Sequence, residues 1–124
     1  MTKIQPSKFN LEERTFEFAK ATRDFCNRIK KTLSNNEYVK QLVRSSSSVG
    51  ANYIEANESF SRKDYLLRVK ISRKEAKETL YWLRLLEVDS TNLAHRNILI
   101  QEGTELMRIF GAIIERIKAK EVRI

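Results

Sequence analysis

Histidine and cysteine are the side chains most often used in nucleophilic and acid–base catalysis, and this chain has one of each, His95 and Cys26. A Cys-His or Ser-His pair needs a further group that orients the histidine, and none is evident in the sequence around His95. A di-iron bundle would need two Glu-x-x-His motifs, which a single histidine excludes. We predict no catalytic residue, metal or cofactor, with His95 a solvated loop residue and Cys26 a small apolar side chain in the core.

The charge of the chain is its clearest chemical signal. Lys and Arg number 24 against 16 Asp and Glu, which gives a formal net charge of +8. Such an excess suits a polyanionic partner, of which nucleic acid is the commonest. The alternative is that cationic side chains only keep the helix surfaces hydrated, and composition does not separate the two.

Part of this charge falls on one side of the third predicted helix. When residues are placed at about 100° intervals, one arc beside the core face collects seven basic residues. This basic arc consists of Arg62, Lys63, Lys70, Arg73, Lys74, Lys77 and Arg84. It could follow a phosphate backbone, so we predict that it binds RNA or DNA. A solvated face of long, flexible side chains is the alternative.

Two other patterns predict an oligomer interface. The third helix carries a second apolar set, away from both the core stripe and the basic arc, made of Leu67, Ile71, Trp82 and Leu85. The second helix carries a polar seam at i, i+3, i+7 and i+10, made of Ser45, Ser48, Asn52 and Glu55. We predict that the seam lies opposite the core, where another helix could approach and form hydrogen bonds. Phe16, off the main stripe of the first helix, is assigned to the same interface.

Each of these patterns has a simpler interpretation. Trp82 could pack against a neighbouring helix of its own bundle, which would make the core face of the third helix wider. The polar seam could be ordinary solvent-facing surface.

Helices must position all these residues, because three glycines and one proline are too few for a sheet protein of this length. Apolar residues recur at helical spacing in four segments, about 11–33, 36–58, 61–87 and 92–118. Asn10 and Ser61 are predicted N-caps, and the run Ser34-Asn35-Asn36 is a predicted break. The first two connections look too short to cross a helix length, so we predict one all-α domain over residues 1–124, an antiparallel up-down-up-down four-helix bundle. Residues 1–8 and those after Lys118 are predicted to be frayed tails.

The apolar stripes of the four segments predict the core. Its expected members include Leu11, Phe18, Phe25, Cys26, Ile29, Leu33, Tyr38, Val39, Leu42, Val43, Val49, Tyr53, Tyr65, Val69, Ser72, Ala76, Leu80, Leu83, Leu99, Gly103, Leu106, Phe110, Ile113, Ile114 and Ile117. No apolar run reaches the roughly 18 residues of a membrane span, and the first residues do not resemble a signal peptide. We therefore expect a cytoplasmic location.

Two stretches carry a family resemblance. Residues 41–56, QLVRSSSSVGANYIEA, and residues 74–86, KEAKETLYWLRLL, resemble the four-helix bundle proteins first noticed in intervening sequences of 23S ribosomal RNA genes. Ser61 and Asp64 match the Ser-x-x-Asp of that family. Ser46-Ser47 stands where Gly-Thr is often found, and the loop into the fourth helix is atypical. The resemblance extends over residues 9–118.

The resemblance implies a left-handed bundle that assembles into rings, commonly homopentamers, with nucleic-acid binding as the role usually suggested. The chain is also similar to the accessory proteins of diversity-generating retroelements, basic pentamers that work with a reverse transcriptase and RNA. No catalytic residue is carried over.

Together these observations predict a non-enzymatic, ring-forming basic bundle that binds RNA, DNA or a ribonucleoprotein as an accessory factor. Its partners would be further copies of itself, nucleic acid, and a reverse transcriptase or another protein. The alternative is a protein–protein interaction scaffold with no nucleic-acid role.

Overall fold

Four α-helices and their connections make up residues 10–122, the part of the chain described by the computed structural model. They are α1 (Leu11–Cys26), α2 (Leu33–Asn57), α3 (Arg62–Leu85) and α4 (Ser90–Val122). The helices pack against one another, and this stretch contains no strand. The predicted all-α four-helix bundle is confirmed. The predicted domain extent, 1–124, and the tail predicted for residues 1–8 include residues outside the described range.

Side-chain caps set the start of each helix. The side-chain oxygens of Asn10, Thr32 and Ser61 each accept a hydrogen bond from the backbone N–H three residues later, at 3.0, 3.0 and 3.1 Å. These bonds satisfy N–H groups that have no partner within the helix. Asp89 does the same for α4, accepting from the N–H groups of Thr91 and Asn92 at 3.1 Å. Hydrogen bonds to the carboxylate, first of all from the Thr91 hydroxyl, lower the pKa of Asp89.

Two predicted helix ends are wrong. The first helix ends at Cys26 instead of residue 33, and α2 begins at Leu33, so the predicted break at Ser34-Asn35-Asn36 lies inside its first turns. The reason is the cap: Thr32, rather than a residue of the Ser-Asn-Asn run, accepts the first free N–H. At the other end of the chain α4 continues past Lys118 to Val122 in place of the predicted fraying.

Contacts between helices show their relative directions. Arg44 pairs with Glu78, the Ser72 hydroxyl donates to the carbonyl of Val49 at 2.8 Å, and Arg68 donates to Asn52 at 2.9 Å. Residue numbers thus rise along α2 as they fall along α3, so the two helices are antiparallel. In the same way the end of α2 meets the start of α1, where Asn57 donates to Glu12 at 2.7 Å.

The fourth helix closes the arrangement by packing against both α3 and α1. Arg14 of α1 joins it through a two-pronged ion pair with Glu102, with nitrogen–oxygen distances of 2.7 and 2.9 Å, and through a third bond of 3.0 Å to Glu105. These hydrogen bonds raise the pKa of Arg14. Planar guanidinium–carboxylate pairs fix geometry as well as charge, so this contact orients α1 on α4.

The core lies along the predicted stripes. Its largest fully buried side chains include Phe25, Leu42, Val49, Val69, Leu83, Leu106, Phe110 and Ile114. Two predicted members are wrong: Leu33 is 86% exposed and Val43 is 38% exposed. Leu33 fits the apolar spacing of the first helix, but α1 ends seven residues before it. Its side chain therefore lies on the outer side of the first turn of α2.

Candidate nucleic-acid interface

The third helix is the most basic surface element of the bundle. It carries eight Lys and Arg residues against three acidic ones, Asp64, Glu75 and Glu78. The Ser61 cap starts the helix at Arg62, so the whole basic arc lies on one regular helix. All seven predicted residues of the basic arc are exposed. The basic arc predicted from the spacing is therefore exposed on the surface, and its binding of RNA or DNA stays a prediction.

The charge of the basic arc is not neutralised within the described chain. None of its seven residues forms an ion pair with a described side chain. Glu75 is buried, with a relative exposure of 7%, and Glu78 pairs with Arg44 of α2 at 3.4 Å. Exposed cations that are not paired with carboxylates produce a positive potential that attracts phosphate groups.

One member of the basic arc approaches the neighbouring helix α4. A Cβ atom placed on Gly111 of α4 would have the Nε atom of Arg73 as its nearest neighbour, at 4.0 Å. The Arg73 side chain therefore reaches the surface of α4 beside Gly111. The positive surface therefore extends from α3 towards the groove between α3 and α4.

The polar seam of α2 faces α3 instead of solvent, which corrects the predicted orientation. Ser45 is fully buried, at 0% exposure, and its hydroxyl lies 2.9 Å from the hydroxyl of Thr79. Asn52 accepts from Arg68 at 2.9 Å and donates to the Ser48 carbonyl at 2.9 Å.

The helix that approaches the seam therefore belongs to the same chain. The polar seam was predicted to face solvent because its residues are polar and side chains with hydroxyl groups are usually exposed. Inside a bundle they are satisfied by the backbone one turn earlier and by each other. Ser45 is not available to a second subunit, whereas Ser48 is half-buried and Glu55 is exposed.

The second apolar set of α3 divides into two kinds of residue. Leu67 and Leu85 are exposed, at 56% and 38%, whereas Ile71 and Trp82 are half-buried. Trp82 packs against the core cluster, and its ring centroid lies 6.1 Å from that of Tyr38 on α2.

The predicted place of Trp82 on an outward association surface is thus wrong, because the core face of α3 is wide enough to hold it. Phe16 of α1 is 57% exposed, and like Leu67 and Leu85 it is accessible for association.

One exposed aromatic residue of α3 was not among the predicted site residues. Tyr81 is 56% exposed and lies four residues after Lys77 and three before Arg84, so it shares their side of the helix. The same 100° placement that defines the basic arc also places Tyr81 within it. The position of Tyr81 could therefore have been predicted from the sequence, but the basic arc was defined by charged residues alone.

The candidate catalytic residues lie apart from this surface. Burial raises the pKa of the Cys26 thiol to about 11, so the thiol is protonated near neutral pH. His95 is exposed on α4 and not in a loop, because that helix begins at Ser90. Within residues 10–122 no three His, Cys, Asp or Glu side chains are grouped as a metal site requires.

Of the helices between residues 10 and 122, none combines the length and apolar character needed to cross a bilayer.

Over residues 10–122 the fold and its surface define a class of protein: an all-helical bundle of four helices with one strongly cationic helix face. A family model described as 23S rRNA-intervening sequence protein matches residues 7–111, and the chain belongs to this family. The resemblance found in residues 41–56 and 74–86 is confirmed.

A solved structure agrees with this assignment. The chain is similar to a crystal structure of a protein with unknown function from the S23 ribosomal protein family of Bacteroides thetaiotaomicron, with 30% sequence identity and a TM-score of 0.70. The match covers 84% of this chain and 97% of the other. The comparison with curated proteins gave no match.

Proposed function

We propose that this protein is a non-enzymatic nucleic-acid-binding bundle that attaches to RNA or DNA, free or within a ribonucleoprotein, through the basic arc of α3. The observation that carries the proposal is the exposure of all seven basic residues, none of them paired with a described carboxylate. Binding of this kind uses phosphate groups, so it depends strongly on salt and weakly on base sequence. The description of the family, which refers to 23S rRNA, is consistent with an RNA-related role.

The proposal is tested by titrating labelled structured RNA and duplex DNA at several salt concentrations. Replacing Lys70, Lys74 and Lys77 by Gln removes three phosphate contacts, so the slope of log affinity against log salt should fall by about three. The control of equal charge replaces exposed Lys20 on α1, Lys31 in the α1–α2 connection and Lys40 on α2. Lys20 and Lys40 pair with Glu17 and Glu37 on their own helices. The control variant loses the same net charge but should keep the wild-type slope.

Two results would reject this proposal. One is the absence of binding to both nucleic acids at low salt. The other is an equal change of slope in the arc variant and the control variant, which would mean that net charge acts without a defined surface. Circular dichroism of both variants checks that the helices are intact.

We further propose that copies of the bundle associate into a ring, for which a homopentamer is the expected form. Exposed Leu67 and Leu85 on α3 and Phe16 on α1 support this, because large apolar side chains on a surface favour burial against another molecule. Association would also bring several basic arcs together and strengthen binding to a polyanion.

Light scattering on a sizing column tests the association. Leu85→Glu should shift the mass towards that of one chain, whereas Leu93→Glu, at a similarly exposed leucine of α4, should not. A wild-type monomer at micromolar concentration contradicts the ring. A ring that binds no nucleic acid would instead support the alternative, a protein interaction scaffold with an acidic partner.

A further inference from the structure

Tyr81 differs from the other tyrosines of the bundle in its surroundings. Tyr38, Tyr53 and Tyr65 are partly buried and pack against the core, whereas Tyr81 is 56% exposed. An exposed aromatic ring on a strongly charged helix is accessible to a partner that can stack on it.

The ring of Tyr81 is held by a second aromatic side chain. Its centroid lies 5.0 Å from that of Trp82, with an interplanar angle of 76°. Trp82 is in turn packed against Tyr38, at 6.1 Å. In a perpendicular contact of this kind, whichever ring contributes its edge, at least one face of Tyr81 is left uncovered by Trp82. The ring is thus supported from the core and open on the outside.

Positive charges lie on both sides of this ring along the helix. Lys77 is four residues before it and Arg84 three residues after it, about one helical turn in each direction. Both are exposed, and neither forms an ion pair with a described residue. Glu78, the acidic residue one turn away, pairs with Arg44 at 3.4 Å. The surroundings of the ring are therefore cationic.

An open aromatic face between two cations matches the chemistry of an unpaired nucleotide. Every base has a flat π surface that stacks on aromatic rings, and the phosphates on either side of it carry negative charge. In a duplex the base faces are already stacked on each other, and they become accessible in single strands, loops and bulges.

We infer that Tyr81 stacks on an unpaired base of the bound nucleic acid while Lys77 and Arg84 bind the adjoining phosphates. This inference depends on the proposed function and narrows it, because it makes single-stranded or unpaired segments the preferred ligand. Both RNA and DNA offer the base that stacking requires, so this contact does not distinguish RNA from DNA.

The test measures binding of short labelled oligo(U), oligo(dT) and blunt RNA duplexes to three variants. Tyr81→Leu should weaken binding of both single strands by about 5- to 100-fold, the range for loss of one stacked base. Its affinity for the duplex should stay within about twofold of wild type. Tyr81→Phe keeps the ring and should retain most of the single-strand affinity. The control Phe60→Leu removes a fully exposed ring from the connection between α2 and α3 and should change neither.

Several outcomes overturn the inference. An equal loss for single strands and duplex would mean that Tyr81 supports the helix or a subunit contact, and light scattering on Tyr81→Leu would identify the latter. Unchanged single-strand binding by Tyr81→Leu excludes stacking.

If wild-type protein binds duplex with the predicted salt dependence but Tyr81→Leu does not change the affinity for single strands, only this inference is lost. If wild-type protein binds no nucleic acid, the proposed function is lost together with it.

Discussion

The side-chain amide of Asn35 and the backbone of Glu87 form a reciprocal pair of hydrogen bonds. The Asn35 Nδ2 group donates to the Glu87 carbonyl at 3.0 Å, and the Glu87 N–H donates to Asn35 Oδ1 at 3.0 Å. The same amide also donates to the carbonyl of Lys30 at 3.1 Å. One buried side chain thus joins the α1–α2 connection to the α3–α4 connection.

Removing this amide should destabilise the bundle. Asn35→Ala leaves backbone groups of Glu87 and Lys30 without partners, and we expect the free energy of unfolding to fall by about 2–4 kcal/mol. Urea unfolding followed by circular dichroism measures it. The neighbouring Asn36 is exposed, so Asn36→Ala should change stability by less than about 0.5 kcal/mol. Similar losses in both variants would contradict the importance of the buried bonds.

Two glycines should respond to alanine in opposite directions. A Cβ on Gly50 would lie 2.7 Å from Thr15 Oγ1 and 3.0 Å from Thr15 Cβ, because α1 and α2 approach closely there. Gly50→Ala should therefore cost about 1–3 kcal/mol. Gly111→Ala meets nothing nearer than 4.0 Å and gains helix propensity, so it should add about 0.5–1 kcal/mol. Thermal and urea unfolding of the two variants should give changes of opposite sign, and a stabilised Gly50→Ala would refute the close approach.

The hydroxyl pair between α2 and α3 should behave as a coupled unit. The Ser45 and Thr79 hydroxyls lie 2.9 Å apart, where either can donate, and each is also near a carbonyl of its own helix, Leu42 at 3.4 Å and Glu75 at 2.8 Å. Ser45→Ala and Thr79→Val should each destabilise the bundle, and the double variant should lose less than the sum by about 0.5–1.5 kcal/mol. Equilibrium unfolding of the four proteins completes the cycle. Strict additivity would show that the two hydroxyls act independently.

The buried thiol predicts a dependence on alkaline pH. Burial raises the pKa of Cys26 from 9.0 to about 11, so the folded protein keeps the proton between these values while the unfolded chain releases it. Stability should therefore decrease as pH rises from about 9 to about 11, and the decrease should be smaller in Cys26→Ala. A thiol reagent at pH 8 should react slowly with native protein and rapidly in urea. Equal rates in the two states would mean that Cys26 is accessible.

Most of the fold could be predicted from the sequence, because the spacing of apolar residues decides which side of a helix is buried. The stripe of α4, including Leu106, Phe110 and Ile114, was predicted and is buried. The first connection was misplaced because Leu33 extends the apolar period of α1 and Asn35 resembles a turn residue. Only the folded bundle shows that Thr32 is the cap and that the Asn35 amide is used by Glu87, a partner 52 residues away.

Only part of the candidate surface could be predicted from the sequence. Charge and helical spacing placed Lys70, Lys74 and Lys77 on an exposed face, since lysine is seldom buried without a partner. Polarity was misleading for Ser45, because a hydroxyl can be satisfied inside a helix pair. Trp82 was misplaced because the width of the core face depends on how closely Tyr38 of the adjacent helix approaches, which no local pattern in α3 specifies.

The bonds between α2 and α3 also fix how far one helix can slide along the other. A shift by one helical turn, about 5.4 Å, would keep many apolar contacts of the stripes. It would break the Ser45–Thr79 contact, the bond from Ser72 to Val49 and the bond from Arg68 to Asn52 at the same time. The fully buried Ser72 hydroxyl would then lose its partner, which costs about 1–3 kcal/mol. The hydroxyl-rich seam therefore sets the register of the pair, and the position of every cation on α3 relative to the rest of the bundle follows from it.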